Sequence, residues 1–268
     1  MKLEKRRVGQ TALKVTSLGF GSASLAGSIE PVPTKDATAL IAHALDLGIN
    51  YVDTAPFYGF GKAEHLVGDA IRPKRENLVL STKTGRILAP HFGPYSPPTM
   101  WRDPYPFIDV FDYSYDGIMR SFADSLQRLG TNRIDILYVH DIGVYTHGQG
   151  NEAHWKALES SGYRALSELK SAGTVSAIGM GVNETQILVD ALAFADWDVF
   201  LLAGRYTLLE QTALSPLLET CLERNTSIVV GGPFNSGVLV GGTTWDYAEA
   251  PKEIHEKVSA LEKVCKEF

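Results

Sequence analysis

Residues 51–83, YVDTAPFYGFGKAEHLVGDAIRPKRENLVLSTK, decide how the rest of the chain is read. Tyr51-Val52 leads into Asp53 as a short apolar strand, and Tyr58 follows five residues later in a loop that carries Gly59 and Gly61. Ala63, Leu66, Val67, Ala70 and Ile71 repeat at helical spacing, and Leu78-Val79-Leu80 forms a second apolar run that stops just before Lys83. A strand–helix–strand unit of this length joins parallel strands, whose C-terminal ends face the same side of the sheet. Asp53, Tyr58 and Lys83 are therefore expected to converge there. A phenol set between a carboxylate and an ammonium is a proton donor.

The same rhythm extends outward. Residues 3–17 read as a hairpin around Gly9-Gln10, and 15–21 as a strand ending in glycines. Ala37, Leu40, Ile41, Ala44 and Leu45 mark a helix that stops at Gly48. Beyond Lys83, helices are expected over 116–129, 155–172, 184–194, 213–224 and 251–266, and strands over 134–140, 175–181, 199–202 and 227–231. That makes seven β/α pairs in one domain, residues 1–268, with no linker. The strands are short and apolar throughout, as parallel strands covered on both faces must be. Two α/β architectures fit, a doubly wound sheet or a (β/α)8 TIM barrel lacking its last unit. A doubly wound dinucleotide binder carries G-x-G-x-x-G after its first strand, whereas Gly19-Phe20-Gly21 runs into Ser22-Ala23-Ser24. Polar residues instead end several different strands: Asp53, Lys83, His140 and Asn183. That distribution selects the barrel. Residues 84–114 break the rhythm, with Pro90, Pro94, Pro97, Pro98, Pro104 and Pro106 among Phe92, Tyr95, Trp101, Tyr105 and Phe107. A loop this long is expected to fold over the site as a packed lid.

Composition narrows the partners. At 268 residues, 44% hydrophobic and 21% charged, the chain has an ordinary globular make-up with material for a sizeable core. A net charge of −6 argues against nucleic acid or an anionic membrane surface as partner. Cys221 and Cys265 both fall in helical patterns, which suggests neither a disulfide framework nor a metal site. The opening MKLEKRRVGQ is basic, but no apolar stretch follows it as in a signal peptide, and no run approaches the roughly 18 apolar residues of a membrane span. A cytoplasmic protein with a small-molecule substrate is expected.

Taken singly, His140 at a strand end is an ordinary capping residue, Lys83 a solvated strand end and Tyr58 a loop aromatic. Their joint placement at one end of consecutive units carries the assignment. Free tyrosine titrates near about 10, too high for ready proton exchange at neutral pH. Lys83 is expected to lower that value, Asp53 to hold Lys83 charged, and His140 to hydrogen-bond the substrate oxygen. Such a site protonates a carbonyl oxygen as hydride reaches the carbon, or runs in reverse. None of these side chains supplies hydride, so a nicotinamide cofactor is implied.

The motif D-T-A-P-x-Y-G at 53–59, with Lys83 and His140 ending the next two barrel strands, resembles the aldo-keto reductase family. The likeness extends through LGFGSASLAG, SLQRLGTNRIDILYVHD and AIGMGVNE, while GRYTLLEQ and VVGGPFNSGVL are similar to members that oxidise aldoses such as L-fucose, D-arabinose and galactose at C1, and to pyridoxal 4-dehydrogenases. This resemblance implies an aldo-keto reductase TIM barrel using NAD or NADP, with Asp53, Tyr58, Lys83 and His140 as catalytic tetrad and Tyr58 as general acid and base. It implies that Asn183 binds the nicotinamide amide and that Gly21 and Ser22, with Asp53, lie under the nicotinamide ribose. The loop Gly232-Pro233-Phe234-Asn235-Ser236-Gly237 would cradle the pyrophosphate through backbone amides. Three departures accompany it. Ala203 stands where many members place a glutamine and Gly231 where many place a tyrosine. The chain also reaches Phe268 without the eighth β/α unit or the loop that grips the adenosine 2′ position, so a fragment of a longer chain is expected. The expected reaction is oxidation of an aldose to its lactone; the alternatives are a pyridoxal 4-dehydrogenase, a general carbonyl reductase, or a non-catalytic nicotinamide-nucleotide-binding barrel.

Overall fold

A computed structural model describes residues 3–28, 30–93 and 100–267. The chain starts with a hairpin of β1 (Lys5–Arg7) and β2 (Lys14–Thr16), then alternates: β3 (Phe20–Gly21), α1 (Thr34–Asp46), β4 (Tyr51–Asp53), α2 (Lys62–Ile71) and β5 (Val79–Thr84). A second hairpin, β6 (Arg86–Pro90) with β7 (Phe107–Phe111), interrupts the alternation. There follow α3 (Tyr115–Leu129), β8 (Ile136–His140), α4 (Val144–His147), α5 (Asn151–Ala157), α6 (Tyr163–Ser171), β9 (Ala177–Val182) and α7 (Gln186–Phe194). The chain continues through β10 (Val199–Ala203), α8 (Glu219–Arg224), β11 (Ser227–Gly231), the two-residue strands β12 (Thr244–Trp245) and β13 (Ala248–Glu249), and α9 (Lys252–Cys265).

Seven strands pair in parallel in the order β3-β4-β5-β8-β9-β10-β11, forming a nearly closed barrel with β3 and β11 as its edges. Period-two alternation explains why the strands read as continuous apolar runs. Tyr51, Val79, Ile136, Tyr138, Ala177, Val199 and Leu201 point into the barrel, where Val8 of the opening hairpin joins them. Their neighbours Val52, Leu80, Leu137, Ile178, Phe200 and Leu202 point outward into a shell completed by Ile41, Val67, Phe122, Leu166, Leu188 and Leu217 of the surrounding segments. The opening hairpin is tied to β11 by the amide of Gly9, which donates to Ser227 Oγ at 2.7 Å. In α3, Ser114 Oγ accepts from the Gly117 amide at 3.2 Å at the start, and Gly130 takes the left-handed conformation at the end, φ +58°.

Two expectations are corrected. The strand expected over 15–21 is two strands, β2 and β3, separated at 17–19. Tyr51 packs against the backbone of Gly19, where an added Cβ would lie 2.6 Å from its ring. The stretch 84–114 is not one loop: residues 86–90 and 107–111 form an antiparallel ladder in which Arg86 faces Phe111. Of the expected lid aromatics, Trp101 is buried while Phe92 is 87% exposed; Pro94, Tyr95, Pro97 and Pro98 lie outside the described residues. Among the described residues no helix is long and apolar enough to cross a membrane.

Candidate active site

Because neighbouring strands are parallel and in register, Asp53 pairs with Ser81, Lys83 with Tyr138, and His140 with Gly181. Asp53, Lys83 and His140 thus end adjacent strands at one rim. The loop after β4 returns Tyr58 over them, helped by Phe60, which takes φ +52° inside the turn. Lys83 is 1% exposed; its Nζ donates to Asp53 Oδ2 at 2.6 Å and to the Thr54 carbonyl at 2.9 Å. The same ammonium lies 4.5 Å from the centre of the Tyr58 ring. Gly181 gives it room, since a Cβ there would sit 3.3 Å from Lys83 Cε.

The other oxygen of Asp53 accepts from Ser81 Oγ at 2.6 Å, and Ser81, Tyr51 and Tyr138 continue the chain at 3.1 Å each. Ser81 has one proton, and the shorter contact directs it to Asp53, which leaves the Tyr51 phenol to donate to Ser81. Both carboxylate oxygens are therefore engaged, and the ammonium is fixed from below. Burial opposes the charged form of Lys83, but Asp53 and Tyr58 outweigh it and hold its pKa above the ordinary value.

The Tyr58 phenol departs from expectation. Burial pushes it up, Lys83 pulls it down and Asp53 pushes it up again; the result is about 12, above a free tyrosine. Lys83 acts in the expected direction, but the desolvation of a phenolate in this cleft is the larger effect. The Tyr58 ring meets Trp101 at 6.0 Å and His140 edge-on at 5.9 Å between centroids. His140 is buried, and burial together with the Arg86 and Lys83 charges holds its pKa well below that of free histidine, so the ring is neutral. Its Nε2 lies 3.3 Å from Asp141 Oδ2, and its Nδ1 is buried without a hydrogen-bond partner.

Arg86 and Asp141 are functional candidates that the sequence reading missed. Arg86 donates Nη1 to Asp109 at 2.6 Å and Nη2 to Asp141 Oδ2, with Phe57 and Phe111 stacked at 3.9 and 4.6 Å from its Cζ. The guanidinium is only 7% exposed and fully paired in charge. The HD pair at 140–141 was visible in sequence, but nothing there pointed to its tie to Arg86.

On the expected cofactor side, the Ser22 amide donates to the Asp53 carbonyl at 3.0 Å, while Ser22 Oγ is buried without a partner. A Cβ built on Gly21 would meet nothing within 4 Å. An open lane beside an unpaired hydroxyl fits a flat polar ring such as a nicotinamide riboside. Asn183 follows β9 at the same rim, and its Nδ2 donates to the Tyr247 hydroxyl at 3.1 Å. The segment carrying Tyr247 is held by Arg205, bonded to Asp246 at 3.0 and 2.9 Å, and by the Tyr247 amide, which donates to Ser236 Oγ at 3.1 Å. In the loop 232–237, Gly232, Asn235, Ser236 and Gly237 all have positive φ. The amides of Asn235 and Gly237 are not free as expected; they close turns onto the carbonyls of Gly232 and Phe234 at 3.0 Å each. Phe234 is 56% exposed, and Pro233 precedes it at the exposed turn. The structure thus brings Asp53, Tyr58, Lys83, His140, Gly21, Ser22 and Asn183 to one end of the barrel. Among the described residues no group of three or more His, Cys, Asp and Glu side chains is placed to hold a metal ion.

Known proteins are similar to this chain in sequence and in fold. The model of the Aldo/keto reductase family matches residues 17–267. Pyridoxal 4-dehydrogenase of Microbacterium luteolum is 48% identical, over 99% of this chain and 82% of its own length. D-threo-aldose 1-dehydrogenase of a Pseudomonas species is 34% identical, over 95% of this chain and 78% of its own. Among solved structures, the holo form of an aldo-keto reductase from Bacillus halodurans superposes with a TM-score of 0.74 over 97% of this chain and 76% of its own, at 24% identity. A likeness at that identity speaks to the fold.

Proposed function

The chain belongs to the aldo/keto reductase family and is an NAD(P)-dependent oxidoreductase, and from that premise we propose that it oxidises the hemiacetal carbon of pyridoxal to a lactone, with aldoses as second substrates. The observation that carries the choice is the 48% identity to a pyridoxal 4-dehydrogenase over nearly the whole chain, against 34% to an aldose dehydrogenase. The weight therefore moves from the aldose favoured by sequence motifs to pyridoxal. Next to Tyr58, Phe57 and Trp101 pack edge to face with 5.4 Å between ring centres.

A bound nicotinamide supplies or accepts the hydride. The chain's own residues handle the proton and the oxygen. In oxidation, the substrate hydroxyl gives its proton to Tyr58 Oη; in reduction, the phenol returns it. The Lys83 ammonium stabilises the phenolate that forms in between, and Asp53 with the Thr54 carbonyl keeps that ammonium in place. Neutral His140 holds the reacting oxygen by hydrogen bonding and adds no positive charge. Ser22 and Asn183 would hold the ribose and carboxamide, and the 232–237 loop the pyrophosphate.

The test is steady-state oxidation of pyridoxal, L-fucose and D-arabinose with NAD+ and NADP+ in parallel, followed by the absorbance of reduced nicotinamide and by lactone analysis. The reading expects the highest kcat/KM for pyridoxal. A higher value for either sugar would return the aldose to first place.

A further inference from the structure

Asp141 occupies a strained position beside the tetrad. Its φ is +48°, a left-handed conformation uncommon outside glycine, asparagine and aspartate. The turn is held by its amide, which donates to the Gly181 carbonyl at 2.9 Å. Strain of this kind persists where surrounding structure fixes it, and here the fixing partner is a buried arginine clamped between two phenylalanines. The carboxylate is not sealed in: its side chain stays 16% exposed, and its charge is felt at the Tyr58 and Tyr247 hydroxyls as well as at Arg86.

The rim therefore presents a hydrogen-bond donor beside an acceptor. His140 Nε2 and Asp141 Oδ2 are 3.3 Å apart. A carbonyl with a hydroxyl on its α carbon, or on the ortho ring carbon of an aryl aldehyde, presents the complement, an acceptor beside a donor. Its two oxygens lie about 2.7–2.8 Å apart when they hydrogen-bond to each other. An aldehyde lacking that hydroxyl takes the His140 donor away without replacing it and leaves the carboxylate to Arg86 alone, and a site built to pair a substrate hydroxyl discriminates against the analogue without it.

We propose that Asp141, held by Arg86, is the specificity residue that recognises a hydroxyl set beside the reacting carbonyl oxygen, on the α carbon or on the ortho ring carbon, which makes α-hydroxy and ortho-hydroxy aldehydes the substrate class. The proposal rests on the oxidoreductase reading above and deepens it: pyridoxal carries such a hydroxyl on the ring carbon ortho to the one that bears the aldehyde, and aldoses carry it at C2. On binding, the substrate pair replaces the contact that His140 and Asp141 make with each other.

The experiment compares reduction of salicylaldehyde, which has the ortho hydroxyl, and benzaldehyde, which lacks it, by the wild-type chain and Asp141→Asn. Any general loss from removing the charge beside His140 is common to both aldehydes and cancels in the ratio of their kcat/KM values. A hydrogen bond to a charged group predicts that this ratio falls about 10- to 100-fold in the variant. An unchanged ratio overturns the proposal. Asp141→Glu, which keeps the charge but moves it by one methylene, is expected to lower the ratio as well. Both aldehydes are also titrated as ligands through tryptophan emission, so that the comparison does not depend on turnover. Absence of turnover with both would sink the oxidoreductase reading, while tighter binding of salicylaldehyde that is lost in Asp141→Asn would still support the hydroxyl site; equal binding would not.

Discussion

At the scale of single residues, the site is governed by the competition between burial and charge at Tyr58. Its phenol, at about 12, stays protonated throughout the neutral range. The acid needed for reduction is thus always present, and kcat/KM for reduction is expected to stay flat until pH nears that value. The base needed for oxidation is the minor form, which grows tenfold per pH unit below it, so kcat/KM for oxidation is expected to rise with pH well past neutrality. Profiles measured in both directions check this, and an oxidation profile that levels off near neutral pH would show that the phenol is lowered instead. The Lys83–Asp53 pair carries its own prediction. With side chains 1% and 10% exposed, removing the ammonium in Lys83→Met leaves a buried carboxylate uncompensated. Denaturant unfolding is expected to show a loss of about 3–5 kcal/mol, of which the double variant Lys83→Met/Asp53→Leu recovers a large part.

Among elements, α2 offers a case where local propensity and packing disagree. Gly68 sits inside α2, where replacing glycine by alanine ordinarily stabilises a helix by about 1 kcal/mol. Here an added Cβ would lie 2.3 Å from the Leu129 carbonyl oxygen at the end of α3. Gly68→Ala is therefore expected to destabilise by about 1–3 kcal/mol, and a raised unfolding midpoint would contradict the close α2–α3 packing. The same contrast between local pattern and tertiary setting explains what was legible in sequence. The barrel strands and their helices were readable because inward and outward positions are both apolar, and because helical spacing is strong in segments such as 62–71. The hairpin of β6 and β7 was not, because its alternation is inverted. Ile108 and Val110 face solvent at 40% and 46%, while Asp109 turns toward Arg86. Read by hydrophobic pattern alone, that ladder looks like an irregular loop.

Across the whole molecule, the parallel topology does the positioning. Asp53, Tyr58, Lys83 and His140 could be named from sequence because each ends or follows a strand, and parallel strands share one rim. What the sequence could not reveal depends on contacts far apart in the chain. Desolvation reverses the sign of the Tyr58 shift, Arg86 reaches Asp141 across 55 residues, and Tyr247 meets Asn183 across 64. The chain spans 82% of the length of the pyridoxal 4-dehydrogenase and 78% of that of the aldose dehydrogenase it resembles, and its sheet has two edges, β3 and β11.

The most direct test of the central claim compares the wild-type chain with Tyr58→Phe in pyridoxal oxidation, alongside fluorescence titration of both with NADH and NADPH. The account predicts saturable dinucleotide binding by both proteins, reduced nicotinamide formed in step with lactone by the wild type, and turnover lowered at least about 100-fold in the variant, as expected for loss of a general acid and base. Dinucleotide binding with equal turnover by the two proteins would contradict the role of Tyr58, and binding without turnover of any aldehyde by the wild type would contradict the enzyme itself.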